Sequence, residues 1–252
     1  MAIHDKEKLA VPHPPLQEYY SEEAQRRKFV SELFDKTAHH YDWVIRAMSF
    51  GSGNWYRNQA LLRAGLKPEM AVLDIATGTG PVAQSISRIV SGNGSVVGLD
   101  RSINMLHETA KHMHLPLVQA DAGVLPFPDQ SFDFITMGYA LRHVDDLHGL
   151  FSEYFRVLRP GGKILLMELT SPDSRLGFIL TKFYMRRIVP LIARLGTGSK
   201  DAKTLMTYFW DTIEHCVRPD GIIEQMKLAG LEDVRRHKVL GIFSEYTGLR
   251  KA

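Results

Sequence analysis

The sequence predicts an α/β fold: a mostly parallel sheet with helices on both faces and a C-terminal antiparallel hairpin, plus an N-terminal helical cap and a helical insertion. Three observations predict it. Between residues 71 and 168 short apolar runs alternate with helix-patterned stretches, the arrangement that winds strands parallel. A turn bearing Gly78 and Gly80 follows the first apolar run. The last two runs have no helix between them, so they pair most simply as an antiparallel hairpin.

In chain order, residues 1–15 read as a loose arm, because Pro12, Pro14 and Pro15 forbid a regular helix. Leu16 to Met48 is helix-patterned, with Phe29, Leu33 and Phe34 at three- and four-residue steps. A Gly/Ser turn leads to a second helix from Trp55 to Ala64, and Gly65 and Pro68 close this cap. Strands are expected at Ala71–Ile75, Ser95–Leu99, Leu117–Gln119, Phe132–Met137 and Lys163–Glu168. Helices are expected at Val82–Val90, Ile103–His112 and Leu147–Leu158, with Pro160-Gly161-Gly162 as a turn before the fifth strand. A helical insertion spans about 174–215. A helix at Gly221–Ala229 and strands at Leu231–Val239 and Gly241–Arg250 complete the chain. The organisation is thus an arm and helical cap over 1–67 and a core over 68–252.

Bulk properties exclude several classes. The 252 residues are 44% hydrophobic and 23% charged, ordinary for a folded domain. The net charge of +3 is too small and scattered to argue for nucleic acid. One cysteine, Cys216, allows no internal disulfide and fits a reducing, cytoplasmic setting. Residues 1–15 lack the apolar core of a signal peptide. The greasiest stretch, Leu176 to Leu195, is broken by Lys182, Arg186, Arg187, Pro190 and Arg194, so it cannot cross a bilayer.

The most informative stretch is Val72-Leu73-Asp74-Ile75-Ala76-Thr77-Gly78-Thr79-Gly80: a strand, an acid at its tip and two glycines. Ligands of open α/β sheets bind at the carboxyl ends of strands, and glycine lets them approach the backbone. Asp100, about twenty residues past the glycines, is placed to accept from two ribose hydroxyls. Gly78-Thr79-Gly80-Pro81-Val82-Ala83 also fits a dinucleotide fingerprint, so a nicotinamide oxidoreductase competes. Pro81 and the charge of Asp74 disfavour a pyrophosphate there; a sulfonium or ammonium suits them. Downstream, Asp121-Ala122 offers an acceptor for an adenine amino group beside room for its ring. Then come Leu125-Pro126-Phe127-Pro128-Asp129 and Arg156-Val157-Leu158-Arg159-Pro160-Gly161-Gly162. In this order the pieces point to S-adenosylmethionine.

From about Phe34 to Arg250 the chain resembles the ubiquinone/menaquinone-biosynthesis C-methyltransferases, a class I family with a Rossmann-like sheet. The resemblance rests on Phe34-Asp35-Lys36-Thr37-Ala38-His39-His40-Tyr41-Asp42, Met48-Ser49-Phe50-Gly51, the glycine turn, Leu141-Arg142-His143-Val144 and Glu168-Leu169-Thr170. It implies that Thr79, Asp100, Asp121, Ala122 and Gly138 contact S-adenosylmethionine and its product S-adenosylhomocysteine. Asp74, Ala76, Gly78, Gly80 and Arg101 join them as candidates. Departures fall where acceptor groups are expected: Val44-Ile45 and Gly53 replace a Met-Asn pair and a His, His143 an Asn, and Tyr246 a His. The resemblance therefore supports methyl transfer more than a particular quinone.

His143 is the candidate general base, the alternative being a structural histidine. Arg142 is a candidate for holding an anionic acceptor oxygen, against an exposed ion pair with Asp145 or Asp146. Tyr41 either orients the acceptor or packs the lid. No metal is expected: His39 and His40, adjacent on a helix, point apart, and His107-Glu108-Thr109-Ala110-Lys111-His112 lacks zinc-protease spacing. In the insertion Leu176, Leu180, Phe183, Tyr184, Ile188, Leu191 and Leu195 approximate one helical face, with a break or kink at Pro190. It reads as a lid packed internally or on a second copy in a homodimer; peripheral membrane contact through its five basic residues stays open. The acceptor is expected to be a small lipophilic aromatic, quinone-like or polyketide-like molecule methylated on carbon. O- or N-methylation of a specialised metabolite and a non-catalytic cofactor-binding partner are the alternatives.

Overall fold

The computed structural model describes residues 11–49 and 51–252. Residues 1–10 of the expected arm, and Phe50 of the Met48–Gly51 motif, lie outside these. Strands β1 (Ala71–Ile75), β2 (Ser95–Asp100), β3 (Leu117–Gln119), β4 (Phe132–Gly138), β5 (Leu158–Leu169), β6 (Glu232–Val239) and β7 (Phe243–Leu249) form one sheet of order β3-β2-β1-β4-β5-β7-β6. β1 to β5 pair parallel, and β7 runs antiparallel to both β5 and β6. The inner strands are largely apolar because helices cover both faces, with Asp74 and Thr136 as polar exceptions that face each other between β1 and β4. β5 starts earlier than the Pro160-Gly161-Gly162 turn implies. The Gly161 amide donates to the Arg250 carbonyl and the Arg250 amide to that of Gly162, at 2.7 and 2.9 Å. The C-terminus thus holds that stretch extended, a partner that local pattern cannot reveal.

The helices are α1 (Glu23–Met48), α2 (Gly53–Ala64), α3 (Pro81–Ser87), α4 (Ile103–Ala110), α5 (Leu147–Val157), α6 (Arg175–Phe183), α7 (Val189–Thr197), α8 (Lys200–His215) and α9 (Pro219–Leu228). Asp146 caps α5 by accepting from the amides of His148 and Gly149, donors that the first helical turn leaves without carbonyls. The α5 stripe Leu147, Leu150, Phe151 and Tyr154 packs with Ile222 and Met226 of α9 against one side of the sheet. On the other side α2 and α3 bring Ala60, Leu61, Val82 and Ile86 onto Val72, Phe134 and Leu165. A third apolar cluster joins Leu33 and Val44 of α1 to Met185 and Val189 and to Leu205, Phe209 and Trp210 of α8. The cap therefore divides: α2 belongs to the sheet, and α1 joins the insertion in a second layer.

Residues 11–15 are not loose. Pro12 and His13 are buried, and the Pro12 carbonyl accepts from the Val217 amide at 2.6 Å. Prolines exclude a helix here but not an extended, packed segment. Burial, with the nearby Arg26 charge, lowers the His13 pKa from 6.5 to about 4. Between those values the unfolded chain binds a proton that the native state refuses, so this site destabilises the fold as pH falls. At 1.36 kcal/mol per pH unit, wild type loses about 2 kcal/mol relative to His13→Gln between pH 6.5 and 5. Asp74, raised to about 6 chiefly by burial, acts in the opposite sense over this window. The difference between the two proteins in urea unfolding is therefore the readout, and parallel pH profiles would refute it.

The insertion corrects two expectations. Leu176, Leu180, Phe183, Leu191 and Leu195 are each more than half exposed, so most of that face does not pack internally, although Tyr184 and Ile188 on it are half-buried. Nor does Pro190 break the helix. Residues Tyr184–Ile188 widen into a π turn, and Pro190 then falls in the first turn of α7, where its missing N–H leaves no bond unmade.

Candidate active site

β1 and β4 are neighbours at the centre of the sheet, and the chain leaves them toward opposite edges, which opens a crevice at their carboxyl ends. Two non-glycine residues just beyond these strands hold positive φ, Ala76 at 52° and Tyr139 at 61°. Such strain persists only where surrounding structure enforces it, and both residues line the cavity. The turn after β1 places Gly78 at φ 60°, and the Gly78 carbonyl accepts from Thr109 Oγ1 at 2.7 Å. A Cβ on Gly78 would come no nearer than 4.0 Å to protein atoms, so the open side of this turn is available to a ligand.

The cavity measures about 850 Å³, near the top of the ~300–1,000 Å³ range of small-molecule sites. One end is lined by Ala76, Gly78, Thr79, Asp100, Asp121 and Ala122, with Arg101 and Gly138 also on the wall. Asp100 is fixed by the amides of Gly78 and Ser102, each donating to one of its oxygens at 2.8 Å. Asp121 accepts from the Gly123 amide at 2.9 Å and lies 3.7 Å from Arg101. The other end is apolar, with Phe34, Ile45, Met48, Leu169, Met185 and Phe209 around Tyr41, Tyr139 and His143.

Three candidates sit elsewhere. Asp74 is fully buried beneath the turn, accepting from Thr77 Oγ1 at 2.7 Å and Thr136 Oγ1 at 2.6 Å. It shapes the turn and does not line the cavity. Gly80 is also off the wall: a Cβ there would meet Thr109 Cγ2 at 3.0 Å and Met113 Sδ at 3.1 Å. Its missing side chain serves the packing of α3 on α4. Arg142 is fully buried and does not line the cavity. It pairs with Glu168 and not with Asp145 or Asp146, donates to Thr212 Oγ1 at 3.1 Å and to the Tyr139 carbonyl at 2.8 Å, and lies 3.9 Å over the Phe209 ring. Arg27 takes Asp145 instead.

His143 lines the cavity between Phe34, at 5.4 Å ring to ring, and Tyr208, stacked at 5.6 Å. Both its ring nitrogens are buried without a hydrogen-bond partner. Burial, helped by Arg142 and Arg26, holds its pKa well below 6.5, so the imidazole is neutral at physiological pH. Burial likewise pushes the Tyr41 phenol up to about 12. The departures divide: Ile45 and Gly53 line the cavity, whereas Val44 and Tyr246 are buried away from it. The rings of His39 and His40 do not point apart but meet at 3.8 Å, while no metal-sized group of His, Cys, Asp and Glu occurs among the described residues. Burial raises the Cys216 thiol to about 12, which keeps it protonated.

Sequence reasoning quoted Asp35 and Asp42 without assigning them. Asp42 accepts from Thr79 Oγ1 and Asp35 from Ser102 Oγ, so two carboxylates pin α1 over the acid-lined end of the cavity. Their spacing of two helical turns, which puts them on one face, was the available signal. With Asp74 below and Asp100 beside it, the glycine turn is ringed by carboxylates. That field repels a pyrophosphate and suits a cationic sulfonium. The residues present fit S-adenosylmethionine.

Comparison with known proteins agrees. Residues 21–250 match the model of the ubiE/COQ5 methyltransferase family. The chain is 36% identical over 225 residues to the ubiquinone/menaquinone biosynthesis C-methyltransferase UbiE of Desulfotalea psychrophila, covering 88% of this chain and 90% of that one. It is 30% identical over 240 residues to the demethylmenaquinone methyltransferase of Symbiobacterium thermophilum, covering 90% and 94%. Among solved structures, a methyltransferase from Thermotoga maritima described as a possible histamine N-methyltransferase superposes with a TM-score of 0.62 at 20% identity. It covers 88% of this chain and 99% of that one, a likeness of fold. The chain belongs to the ubiE/COQ5 methyltransferase family and is an S-adenosylmethionine-dependent methyltransferase.

Proposed function

We propose that the enzyme methylates a small, largely apolar aromatic acceptor of quinone-like or polyketide-like type, on carbon rather than on oxygen or nitrogen. The observation that carries this is one continuous cavity joining an acid-lined nucleoside end to an apolar lobe walled by α1 and the insertion. The names of the relatives, quinone C-methyltransferases, support the same class. Bound S-adenosylmethionine supplies an electrophilic methyl group on a sulfonium. The protein's part is to bring the nucleophile in line and keep water out. Asp100 and Asp121 bind the ribose and adenine, Ala76 and Gly78 give it backbone to lie against, and α1 closes over it. Neutral His143, with both nitrogens unclaimed by protein, accepts the hydroxyl proton of the acceptor as the ring carbon takes the methyl group. The hydrogen on that carbon then moves to the ring oxygen to restore the aromatic hydroxyl, and Tyr41 orients that oxygen. Titration calorimetry tests the cofactor half: S-adenosylhomocysteine is expected to bind and NADH to give no heat. The reverse would sink the reading. Isotope-labelled methyl transfer to a demethylated naphthohydroquinone, with the product located by NMR, tests the acceptor half.

A lipophilic acceptor needs a route in. Leu180 both lines the cavity and is exposed, and Leu176, Phe183, Leu191 and Leu195 extend an apolar stripe from it. Arg175 and Arg187 flank or interrupt the stripe in the open, with no acidic residue between 175 and 194. A stripe of this kind beside uncompensated positive charge fits an anionic lipid surface. The protein is expected to float with vesicles containing phosphatidylglycerol and not with pure phosphatidylcholine, and Phe183→Asp with Leu191→Asp is expected to abolish flotation. Concentration-dependent dimers that the same pair dissolves, without flotation of wild type, would assign the face to a second copy.

A further inference from the structure

Arg57, on α2, is another arginine on the cavity wall, and none of the sequence motifs singled it out. Arg57 is only 8% exposed and lines the cavity wall. Its Nη2 donates to Asn54 Oδ1, and its Nε is buried with no hydrogen-bond partner. Among the described residues no carboxylate forms an ion pair with it. Burial lowers its pKa, opposed by the nearby Tyr139, Tyr41, Asp42 and Asp74. Those two carboxylates are already engaged, Asp42 by Thr79 and Asp74 by Thr77 and Thr136. Both tyrosines also line the cavity, and burial keeps their phenols protonated, Tyr41 with a pKa of about 12 and Tyr139 above its ordinary value. This part of the wall therefore presents a guanidinium and two hydroxyl donors: the charges of Asp42 and Asp74 are felt at the guanidinium, but among the described residues no carboxylate is in ion-pair contact with it. Desolvating a lone guanidinium costs several kcal/mol, and such a charge is tolerated in a cleft where an incoming anion completes it.

We propose that Arg57, with the hydroxyls of Tyr41 and Tyr139, is an oxyanion-binding station in this cleft. The oxyanion is either the carboxylate at the methionine end of the donor or an ionised ring oxygen of the acceptor. Planar, forked N–H groups recognise both in the same way. This assignment rests on the methyl-transfer reading above. It adds that one ligand must carry an acidic oxygen for full affinity, and that Arg57 rather than Arg142 receives it.

The test uses wild type, Arg57→Met and Arg57→Lys with three probes in titration calorimetry. S-adenosylhomocysteine carries the carboxylate, methylthioadenosine has the same nucleoside and sulfur without it, and hydroxynaphthoquinone, an enolate at neutral pH, is added to protein saturated with S-adenosylhomocysteine. If the donor carboxylate is held, Arg57→Met weakens S-adenosylhomocysteine by about tenfold or more and leaves methylthioadenosine unchanged. If the acceptor oxygen is held, S-adenosylhomocysteine is unaffected and the enolate weakens by a similar factor. In either case Arg57→Lys restores part of the loss. Because the arginine has no protein ion-pair partner, the ligand-free Tm of Arg57→Met stays level or rises. No change for any probe overturns the proposal. So does a fall in Tm with equal weakening of all three probes, the mark of a structural arginine. Failure of wild type to bind either nucleoside would instead count against the methyl-transfer reading itself.

Discussion

Arg142→Met is expected to lower the unfolding free energy by about 3–5 kcal/mol, the cost of leaving one partner of a buried ion pair alone. At about 2–4 °C per kcal/mol for a chain of this size, the Tm falls by roughly 6–20 °C. The magnitude follows from the setting. Arg142 and Glu168 are both 0% exposed, so bulk solvent does not reach the pair to replace a lost partner. Burial already pushes the Glu168 carboxyl above its ordinary pKa, against the pull of Arg142. Without the guanidinium, Glu168 must take up a proton or stay charged in an apolar interior, and either alternative costs free energy. Two further results separate this account from a simple packing defect. The double variant Arg142→Met, Glu168→Leu is expected to recover most of the loss, because no charge then remains to be desolvated. The single variant is expected to be least impaired at low pH, where Glu168 protonates at small cost. A single variant within 1 kcal/mol of wild type by urea unfolding would refute the assignment.

The same pair explains how the site is held. Arg142 ties the end of β4 to Glu168 in β5 and, through Thr212 and Phe209, to α8 of the insertion. Its neighbour His143 and the strained Tyr139, whose carbonyl it also binds, are thereby fixed on the cavity wall. Arg142 is thus a positioning residue. A partial loss of turnover in the double variant, with stability restored, would reflect the lost hydrogen bonds to Thr212 and Tyr139.

The sheet was legible because its signal is local. Val72-Leu73 and Ile75, or Phe134-Ile135 and Met137, announce a strand buried on both faces without reference to anything distant. That Asp100 and Asp121 would line the cavity was legible for a related reason: they stand at strand tips, and topology alone carries strand tips to the crevice. What escaped depends on contacts between distant elements. Arginine is by default an exposed residue, so nothing beside Arg142 in sequence could show that Glu168, 26 residues away, would bury it. Arg57 sits in a helix whose polar residues read as an ordinary solvated surface. The stripe from Leu176 to Leu195 had the right period, yet periodicity marks a face without saying whether protein, lipid or a second copy covers it. Gly80 was a subtler case. The motif marks a glycine there, and the close neighbours a side chain would meet are Thr109 and Met113, so helix packing accounts for it.

Asp100→Ala is expected to weaken S-adenosylhomocysteine binding by about 10²–10⁴-fold. A hydrogen bond to a charged group is worth about 1.5–3 kcal/mol, and the two ribose hydroxyls offer two of them, about 3–6 kcal/mol in all. The carboxylate is unusually fixed for that task. The amides of Gly78 and Ser102 each occupy one of its oxygens, so it arrives oriented and spends no side-chain entropy on binding. Asn is no gentler replacement, since its NH₂ would have to face one of those two N–H groups. Part of any loss could come from the turn relaxing once the Gly78 amide is released, and the ligand itself separates the two causes. In wild type an analogue lacking the ribose hydroxyls is expected to bind far more weakly than S-adenosylhomocysteine, whereas in Asp100→Ala the two should bind alike. A persistent preference for the hydroxylated ligand in the variant would mean that another group reads the ribose. The nucleoside end would then lie elsewhere in the cavity, and the assignment of Asp121 to adenine would fall with it.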